Sequence, residues 1–347
     1  MKQLSVFSIA DREKRLSELG DNLEKLNEMI NWEMFRPMLT DAVTVKEPKA
    51  PGGRPRYDVV MMFKVLVLSK IYNLGDDQLE YQINDRISFM RFLGLDLNDK
   101  VPDAKTIWFY RETLKNAKVM DNLFDRFDDL LEEEGLITRK GTILDATFVE
   151  APRQRNHREE NKAIKEGQVP EEWQKPENKH KLQQKDTDAR WAKKGNQTYF
   201  GYKDHVKADA DSKLIVDYSV TSASVSDGEE GIGLLREGDG TAYADSAYVG
   251  KKLAEKIPEG VVNMIHEKGE RNHPLTEEQK ASNHKKSKIR CRIEHIFGFM
   301  TGAMHGITVR SIGIERAKFN IGMMNLVYNL CRYTILMRTQ KSAAARG

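Results

Sequence analysis

Residues 141–149, which read GTILDATFV, decide the fold class of this chain. The run is short, apolar and rich in β-branched residues, and a polar tract follows it. Such a pattern is typical of a buried strand. Asp145 interrupts the run, and a carboxylate in a buried strand is costly unless it is paired or bound to a metal ion. We therefore take Asp145 as the first candidate for a functional side chain.

The segments after this strand alternate between predicted strands and helices. Their order predicts an α/β fold with a mixed sheet covered by helices. In chain order, they are strands over 198–208 and 214–221, a helix over 227–236, a strand over 241–244, a helix after residue 248, a strand over 261–266, and helices over 285–304 and 314–337.

The N-terminal third is predicted to be helical. Residues 8–36 carry an apolar stripe at spacings of three and four, which predicts an amphipathic helix that either packs on its own domain or forms a short coiled-coil contact. A basic, proline- and glycine-rich linker over 46–57 leads into several short helices, an arrangement compatible with a helix-turn-helix DNA-binding unit. The stripe consists of Leu16, Leu19, Leu23, Leu26 and Ile30.

These patterns divide the chain into three parts. Residues 1–50 form an N-terminal helix, with oligomerisation as one role, and residues 51–135 form a helical DNA-binding domain. Residues 136–347 form the α/β domain, which ends in a helix. Within it, residues 151–195 are polar and dense in charge, which indicates an exposed loop or a partly disordered arm.

Composition excludes several classes of protein. Of 347 residues, 39% are hydrophobic and 31% are charged, and the net charge is only +3. The sequence contains no run of about 18 apolar residues, so we expect no membrane-spanning helix. Its first ten residues do not resemble a secretory signal peptide. Two cysteines are too few for a disulfide framework, so we expect a reducing cytoplasm. No P-loop or dinucleotide-binding glycine motif is present, which argues against nucleotide hydrolysis.

Two further carboxylates stand at positions that suit chemistry. Asp245 ends a short apolar strand, and ligand sites in open α/β sheets lie beyond the carboxyl ends of strands. Glu294 lies on a predicted helix, four residues after Arg290. Each has an ordinary alternative, because an aspartate after a strand is usually a cap and an i,i+4 pair is usually a surface ion pair.

A cluster of three carboxylates would require a cation. Two unit charges about 4 Å apart repel by roughly 4 kcal/mol at an effective dielectric constant near 20. Hard oxygen ligands suit Mg²⁺ or Mn²⁺, and two ions would activate an attacking oxygen and stabilise a leaving one. The sequence therefore predicts a site for two divalent ions.

Basic residues lie beside these candidates. The run before Glu294 contains no acid, so it is either a solvated face or a surface for a phosphate backbone. The linker arginines suit a flexible arm against a minor groove. The candidate DNA-binding residues are Arg54, Arg56, Lys285, Lys286, Lys288, Arg290 and Arg292.

Taken together, these segments resemble bacterial insertion-sequence transposases of the DDE class, in the insertion sequence five branch of the insertion-sequence-four-like superfamily. The resemblance covers most of the chain. It rests on the blocks 53–57, 102–111, 144–147, 188–203, 244–248 and 290–298.

The resemblance implies a ribonuclease H-like catalytic core in which Asp145, Asp245 and Glu294 hold the metal ions. It also implies cleavage and strand transfer on double-stranded DNA, at terminal inverted repeats and a target, by a homodimer or higher multimer acting at the bacterial nucleoid. The family signature has a tyrosine before the arginine and a lysine after the glutamate, where this chain has Ser287 and Thr301. Lys286, Lys288 and His295 are the candidates to replace their DNA contacts.

Two other functions remain compatible with these residues. One is a metal-dependent DNA nuclease on the same core, which would cut without joining. The other is a domesticated, non-catalytic DNA-binding protein, which the loss of one carboxylate would have favoured.

Overall fold

The computed structural model describes residues 6–44, 56–270 and 273–344, and the chain forms two compact units. One unit comprises Met1–Asp129 with Leu326–Gly347, and the other comprises Leu130–Asn325. The end of the C-terminal helix therefore belongs with the N-terminal helices. Among the described residues, no helix combines the length and the apolar character needed to cross a membrane.

The first unit is helical, as the sequence predicts. A 3₁₀ turn over Trp32–Phe35 joins its second and third helices. In order, the helices are α1 (Val6–Glu18), α2 (Asn22–Met29), α3 (Arg36–Val43), α4 (Val59–Ile71), α5 (Asp76–Asp85), α6 (Ile87–Leu93), α7 (Ala104–Asn116) and α8 (Met120–Glu133), the last of which continues into the second unit.

The single helix expected over residues 8–36 is wrong, because the chain breaks at Gly20. Gly20 has φ of +88°, a left-handed value that ends α1, and Asp21 then caps α2 by accepting a hydrogen bond of 2.9 Å from Leu23 N. Leu23 is buried, whereas Leu19 is 85% exposed. The residues of the predicted apolar stripe therefore do not lie on one buried face of a single helix.

The second unit is built on a mixed sheet, which confirms the predicted fold class. The strand β1 is central, with β3 antiparallel on one side and β5 parallel on the other; β4 pairs antiparallel with β3, and β6 parallel with β5. The strands are β1 (Gly141–Glu150), β2 (Arg190–Lys194), β3 (Gln197–Asp209), β4 (Ile215–Ser222), β5 (Thr241–Tyr243) and β6 (Val262–Asn263).

Helices accompany this sheet along the chain. Short 3₁₀ turns lie at Pro176–Asn178, Ser246–Tyr248 and Cys291–Ile293. The helices are α9 (Arg158–Lys165), α10 (Glu171–Gln174), α11 (Lys179–Gln184), α12 (Asp227–Gly233), α13 (Lys251–Ala254), α14 (Glu277–Arg290), α15 (Glu294–Gly302) and α16 (Ile314–Ala344), whose end belongs to the first unit.

Two predicted elements differ from the observed ones. The helix predicted over 285–304 is divided into α14 and α15 by the turn at Cys291–Ile293. The strand predicted over 261–266 is reduced to β6, although the backbone of His266 still donates a hydrogen bond of 3.1 Å to Ala244 O. The edge of the sheet therefore continues past the strand.

The polar arm is folded, where the sequence indicated an exposed loop. The Trp173 side chain is completely buried, and its indole nitrogen donates a hydrogen bond of 2.8 Å to Glu160. Asp186 fastens the end of the arm, because one carboxylate oxygen accepts from Tyr202 Oη at 2.7 Å and from Gly313 N at 3.2 Å. One tryptophan and one carboxylate thus order a segment that composition alone assigns to solvent.

Candidate active site

The register of the sheet brings the two candidate aspartates side by side. Ile143 on β1 pairs with Tyr243 on the parallel strand β5. Asp145 lies two residues further along β1, and Asp245 lies two residues past the end of β5. Side chains alternate along a strand, and Leu144 points into an apolar cluster, so Asp145 points to the opposite face of the sheet.

Each aspartate uses one oxygen for a local hydrogen bond. Asp145 Oδ1 accepts from the backbone N of Ala146 at 2.8 Å, and Asp245 Oδ1 accepts from Ala247 N at 2.7 Å. Asp245 therefore caps the turn at Ser246–Tyr248, as a residue after a strand often does. This capping role leaves Oδ2 of Asp245 available to a ligand.

The electrostatic environment of Asp145 is that of a half-buried carboxylate beside a second acid. Burial is the main cause that raises the pKa of Asp145 to about 6. The hydrogen bond from Ala146 opposes this effect, the charge of Asp245 adds to it, and the positive charges of Arg290 and Lys194 also oppose it. A cation near Asp145 and Asp245 would stabilise both charged forms.

Arg290 connects Asp145 with the third candidate. Its Nη1 lies 3.5 Å from Asp145 Oδ2, and its Nη2 lies 3.1 Å from Glu294 Oε1. The Glu294 side chain is 63% exposed. The guanidinium therefore supplies positive charge between two of the three predicted metal ligands.

The three carboxylates do not form a closed metal-binding group. In the part of the chain that the structure describes, no three His, Cys, Asp or Glu side chains are placed to hold one ion. The donor chemistry still fits divalent cations, because Asp145 and Asp245 present oxygen ligands side by side and the Asp145–Glu294 gap is filled by a positive group. Ion binding at all three would require Glu294 to exchange Arg290 for the metal.

His266 and Tyr248 adjoin the aspartates, and our interpretation of the sequence gave neither of them a role. His266 Nε2 lies 3.3 Å from Ser287 Oγ, and burial, followed by the charges of Arg290 and Lys286, lowers the pKa of His266. The Tyr248 hydroxyl is buried without a hydrogen-bond partner among the described residues. A polar residue at the end of the predicted strand 261–266 was the available signal for His266.

The basic run before Glu294 divides into inward-facing and exposed residues. Lys286 is buried and donates to Ile265 O and to Glu267 Oε1, at 3.0 Å each. Arg292 donates to Ala210 O at 2.7 Å and to Asp211 at 3.0 Å. In contrast, Lys285 and Lys288 are exposed.

The remaining predicted DNA-binding residues lie elsewhere. Arg54 falls outside the described residues, and Arg56 is exposed and donates a hydrogen bond of 2.7 Å to Val43 O. Thr301, at the position of the family lysine, is exposed and bonds to Phe297 O within α15 at 2.9 Å. The role of these positions in DNA binding stays a prediction.

Comparisons with known proteins identify the family to which the chain belongs. A family model described as a transposase DDE domain matches residues 137–330, and one described as a transposase domain matches residues 10–113. Among solved structures, the chain is similar to the piggyBac transposase in a synaptic complex with hairpin DNA, determined by cryo-electron microscopy. That similarity has 11% sequence identity and a TM-score of 0.43, and covers 92% of this chain and 76% of the other. Because the first model spans more than half of its residues, this chain belongs to the transposase DDE domain family.

Proposed function

We propose that this DNA transposase cuts and joins DNA strands at the edge of the sheet where Asp145 and Asp245 meet, with Glu294 as the third acidic residue. The observation that carries the proposal is their placement: two aspartates lie two residues beyond a parallel strand pair, and Arg290 connects the first of them to Glu294. An ordinary surface ion pair would not place Arg290 beside the half-buried Asp145 on the central strand.

Asp145, Asp245 and Glu294 would hold divalent ions, Mg²⁺ or Mn²⁺, and two ions suit phosphodiester chemistry. When bound, such ions neutralise phosphate charge and activate the attacking oxygen. The protein side chains hold the carboxylates in position: Ala146 N orients Asp145, and Ala247 N orients Asp245. Arg290 keeps Asp145 and Glu294 from repelling each other until ions bind.

DNA contacts follow the exposed basic residues. Lys285 and Lys288 present their ammonium groups to solvent on α14, the helix that ends at Arg290, and are suited to phosphates of the bound strand. We assign recognition of the terminal inverted repeats to residues 51–135, and bringing two ends together to a homodimer or higher multimer. Action on such ends places the protein in the bacterial cytoplasm, at the nucleoid.

The test is a cleavage and joining assay on DNA that carries the ends of the element. Asp145→Asn, Asp245→Asn and Glu294→Gln should each abolish cleavage with Mg²⁺ or Mn²⁺ while DNA binding persists, because phosphate contacts come from Lys and Arg. Asp211→Asn is the matched control, since Asp211 is an exposed carboxylate paired with Arg292.

Four outcomes would change the proposal. Normal cleavage by Glu294→Gln would move the third ligand elsewhere, with Glu267 and Glu270 as the next candidates. Cleavage that continues in excess chelator would overturn the metal requirement. Cleavage without joining would favour the nuclease function, and binding without either reaction would favour a domesticated DNA-binding protein.

A further inference from the structure

A hairpin formed by β2 and the start of β3 carries a local excess of positive charge. Lys194 pairs with Gln197, and a two-residue turn joins them, with Gly195 at φ of +60°. Residues 190–203 contain four Lys or Arg residues and no acid. Such a ribbon is a shape that fits against DNA.

Two of these four cations have no ion-pair partner among the described residues. Arg190 donates to the backbone oxygens of Thr187, Ala189 and Ile164, and Lys203 lies 2.7 Å from Asp227. Lys193 and Lys194 are exposed, and within the described residues neither takes part in an ion pair. The uncompensated charge is therefore at the tip of the hairpin.

The hairpin bends back over β1. Tyr199 stacks on Phe148 with ring centroids 4.2 Å apart and planes 4° apart, although the strand partner of Phe148 is Lys203. Glu150, the last residue of β1, pairs with Gly201, and Arg190 pairs with the same residue. The hairpin therefore leaves the sheet at the end of β1 that follows Asp145.

Trp191 gives the hairpin an exposed aromatic surface. Its side chain is 47% exposed, which is unusual for so large an apolar group. The Phe200 ring lies 5.0 Å away, and the Arg153 guanidinium lies 5.9 Å from the indole centroid. An exposed indole beside Arg153, on a hairpin whose tip carries two lysines, is a combination that stacks on nucleobases while cations hold the backbone.

We propose that the hairpin tip, defined as Trp191, Lys193 and Lys194, holds the DNA strand that enters the active site. The two lysines contact phosphates, and Trp191 stacks on an unpaired base of that strand. This inference rests on the proposed function, since it requires DNA to lie over Asp145. Base stacking is indifferent to sequence, so the tip positions the strand and does not read it.

The phosphate contacts are tested by binding of the full-length protein to a labelled duplex with a single-stranded overhang, in chelator and over a range of salt concentrations. K193A/K194A should weaken binding roughly tenfold and flatten the slope of log K against log salt by about 2, because each phosphate contact contributes about 0.9. K193R/K194R should restore both. The matched control is K251A/K252A, an adjacent and equally exposed pair on α13, which should change binding less than twofold.

The stacking contact is tested by comparing binding to the overhang probe with binding to a blunt duplex. W191A should weaken binding to the overhang probe by roughly tenfold, should affect a blunt duplex much less, and W191F should retain most of the affinity. Thermal unfolding should be unchanged in all lysine variants because both side chains are exposed.

Equal losses in the hairpin and α13 variants would overturn the lysine contacts, and equal losses by W191A on both probes would overturn base stacking. Failure of the proposed function looks different, since wild-type protein would then not cleave with Mg²⁺ while the hairpin variants still lost DNA binding. Normal wild-type cleavage with unaffected hairpin variants would reject the hairpin alone.

Discussion

Asn325 on α16 donates a hydrogen bond of 3.1 Å to Oδ1 of Asp204 on β3, and both side chains are completely buried. The remaining oxygen of each side chain, Asp204 Oδ2 and Asn325 Oδ1, has no donor within the described residues. Burial raises the pKa of Asp204 to about 7. A proton on Asp204 would let the carboxyl donate to Asn325, so that each side chain both donates and accepts.

This pair predicts that stability falls with rising pH. The folded state keeps the Asp204 proton up to about pH 7, whereas the unfolded chain loses it near pH 4, so the contribution is complete below pH 4 and lost as pH rises through 7. Asp204→Asn keeps both hydrogen bonds at every pH. In urea unfolding, wild type should lose roughly 2–3 kcal/mol relative to this variant between pH 5 and pH 8. Parallel pH profiles would mean that Asp204 is ionised when buried.

Arg290 should compete with metal ions for the carboxylates. Two partly exposed ion pairs are together worth about 1 kcal/mol, so Arg290→Ala should bind Mn²⁺ roughly fivefold more tightly in the absence of DNA. Thermal shift with Mn²⁺ titration measures this. Arg292→Ala removes the same charge from a contact with Asp211 and serves as the control. Unchanged or weaker Mn²⁺ binding by Arg290→Ala would show that the guanidinium does not occupy the position of a metal.

The contact between α12 and the turn that carries Asp245 has no space for an added methyl group. A Cβ at Gly231 would lie 2.4 Å from Cε1 of Tyr248, whereas one at Gly233 would meet nothing within 4 Å. Gly231→Ala should therefore destabilise the protein by about 1–3 kcal/mol and lower cleavage, because Tyr248 belongs to the turn capped by Asp245. Gly233→Ala should be neutral or slightly stabilising. Similar melting temperatures for the two variants would contradict the close contact.

Asp186 should control the order of the polar arm. Asp186→Ala leaves Tyr202 Oη and the backbone N of Gly313 without their acceptor, which costs about 1–3 kcal/mol for the buried Tyr202 hydroxyl and less for the half-buried Gly313. Limited trypsin digestion followed by mass spectrometry should then show faster cleavage within residues 151–189. Glu177→Ala, at an exposed position in the same arm, should digest like wild type. Equal digestion rates in all three proteins would place the anchor elsewhere.

The sequence predicted β1, β3, β4, β5 and β6 because these strands have local signatures, whereas β2 lies within residues 151–195, which the sequence indicated to be an exposed loop. The run 141–149 is apolar and β-branched, and the structure contains it as β1. The arm was less predictable, because its order depends on one buried tryptophan, Trp173, in a polar background. A prediction from residue patterns depends on the average hydrophobicity of such a segment, and a single buried side chain does not change that average.

For the site, sequence placed Asp145 and Asp245 at strand positions whose proximity depends only on parallel register. The bridging position of Arg290 was not predictable from i,i+4 spacing alone, because that spacing relates it to Glu294 but not to a residue on β1. The same limit applies to Lys286, which faces inward to Ile265 and Glu267 in a run whose charge suggested exposure. The orientation of these side chains depends on packing between residues that are distant in sequence, and such packing produces no periodic pattern in the sequence.

Glu150, the last residue of β1, and Arg190, the first of β2, both pair with Gly201. The chain therefore departs from the sheet and returns to it within about 10 Å, two strand spacings. Because its two ends lie close together, this segment can change in length at little cost in stability. Doubling the length of a loop costs only about 0.6 kcal/mol in closure entropy. Evolution can lengthen, shorten or replace residues 151–189 without altering the distance between Asp145 and Asp245, and the same junction is suited to grafting a reporter domain.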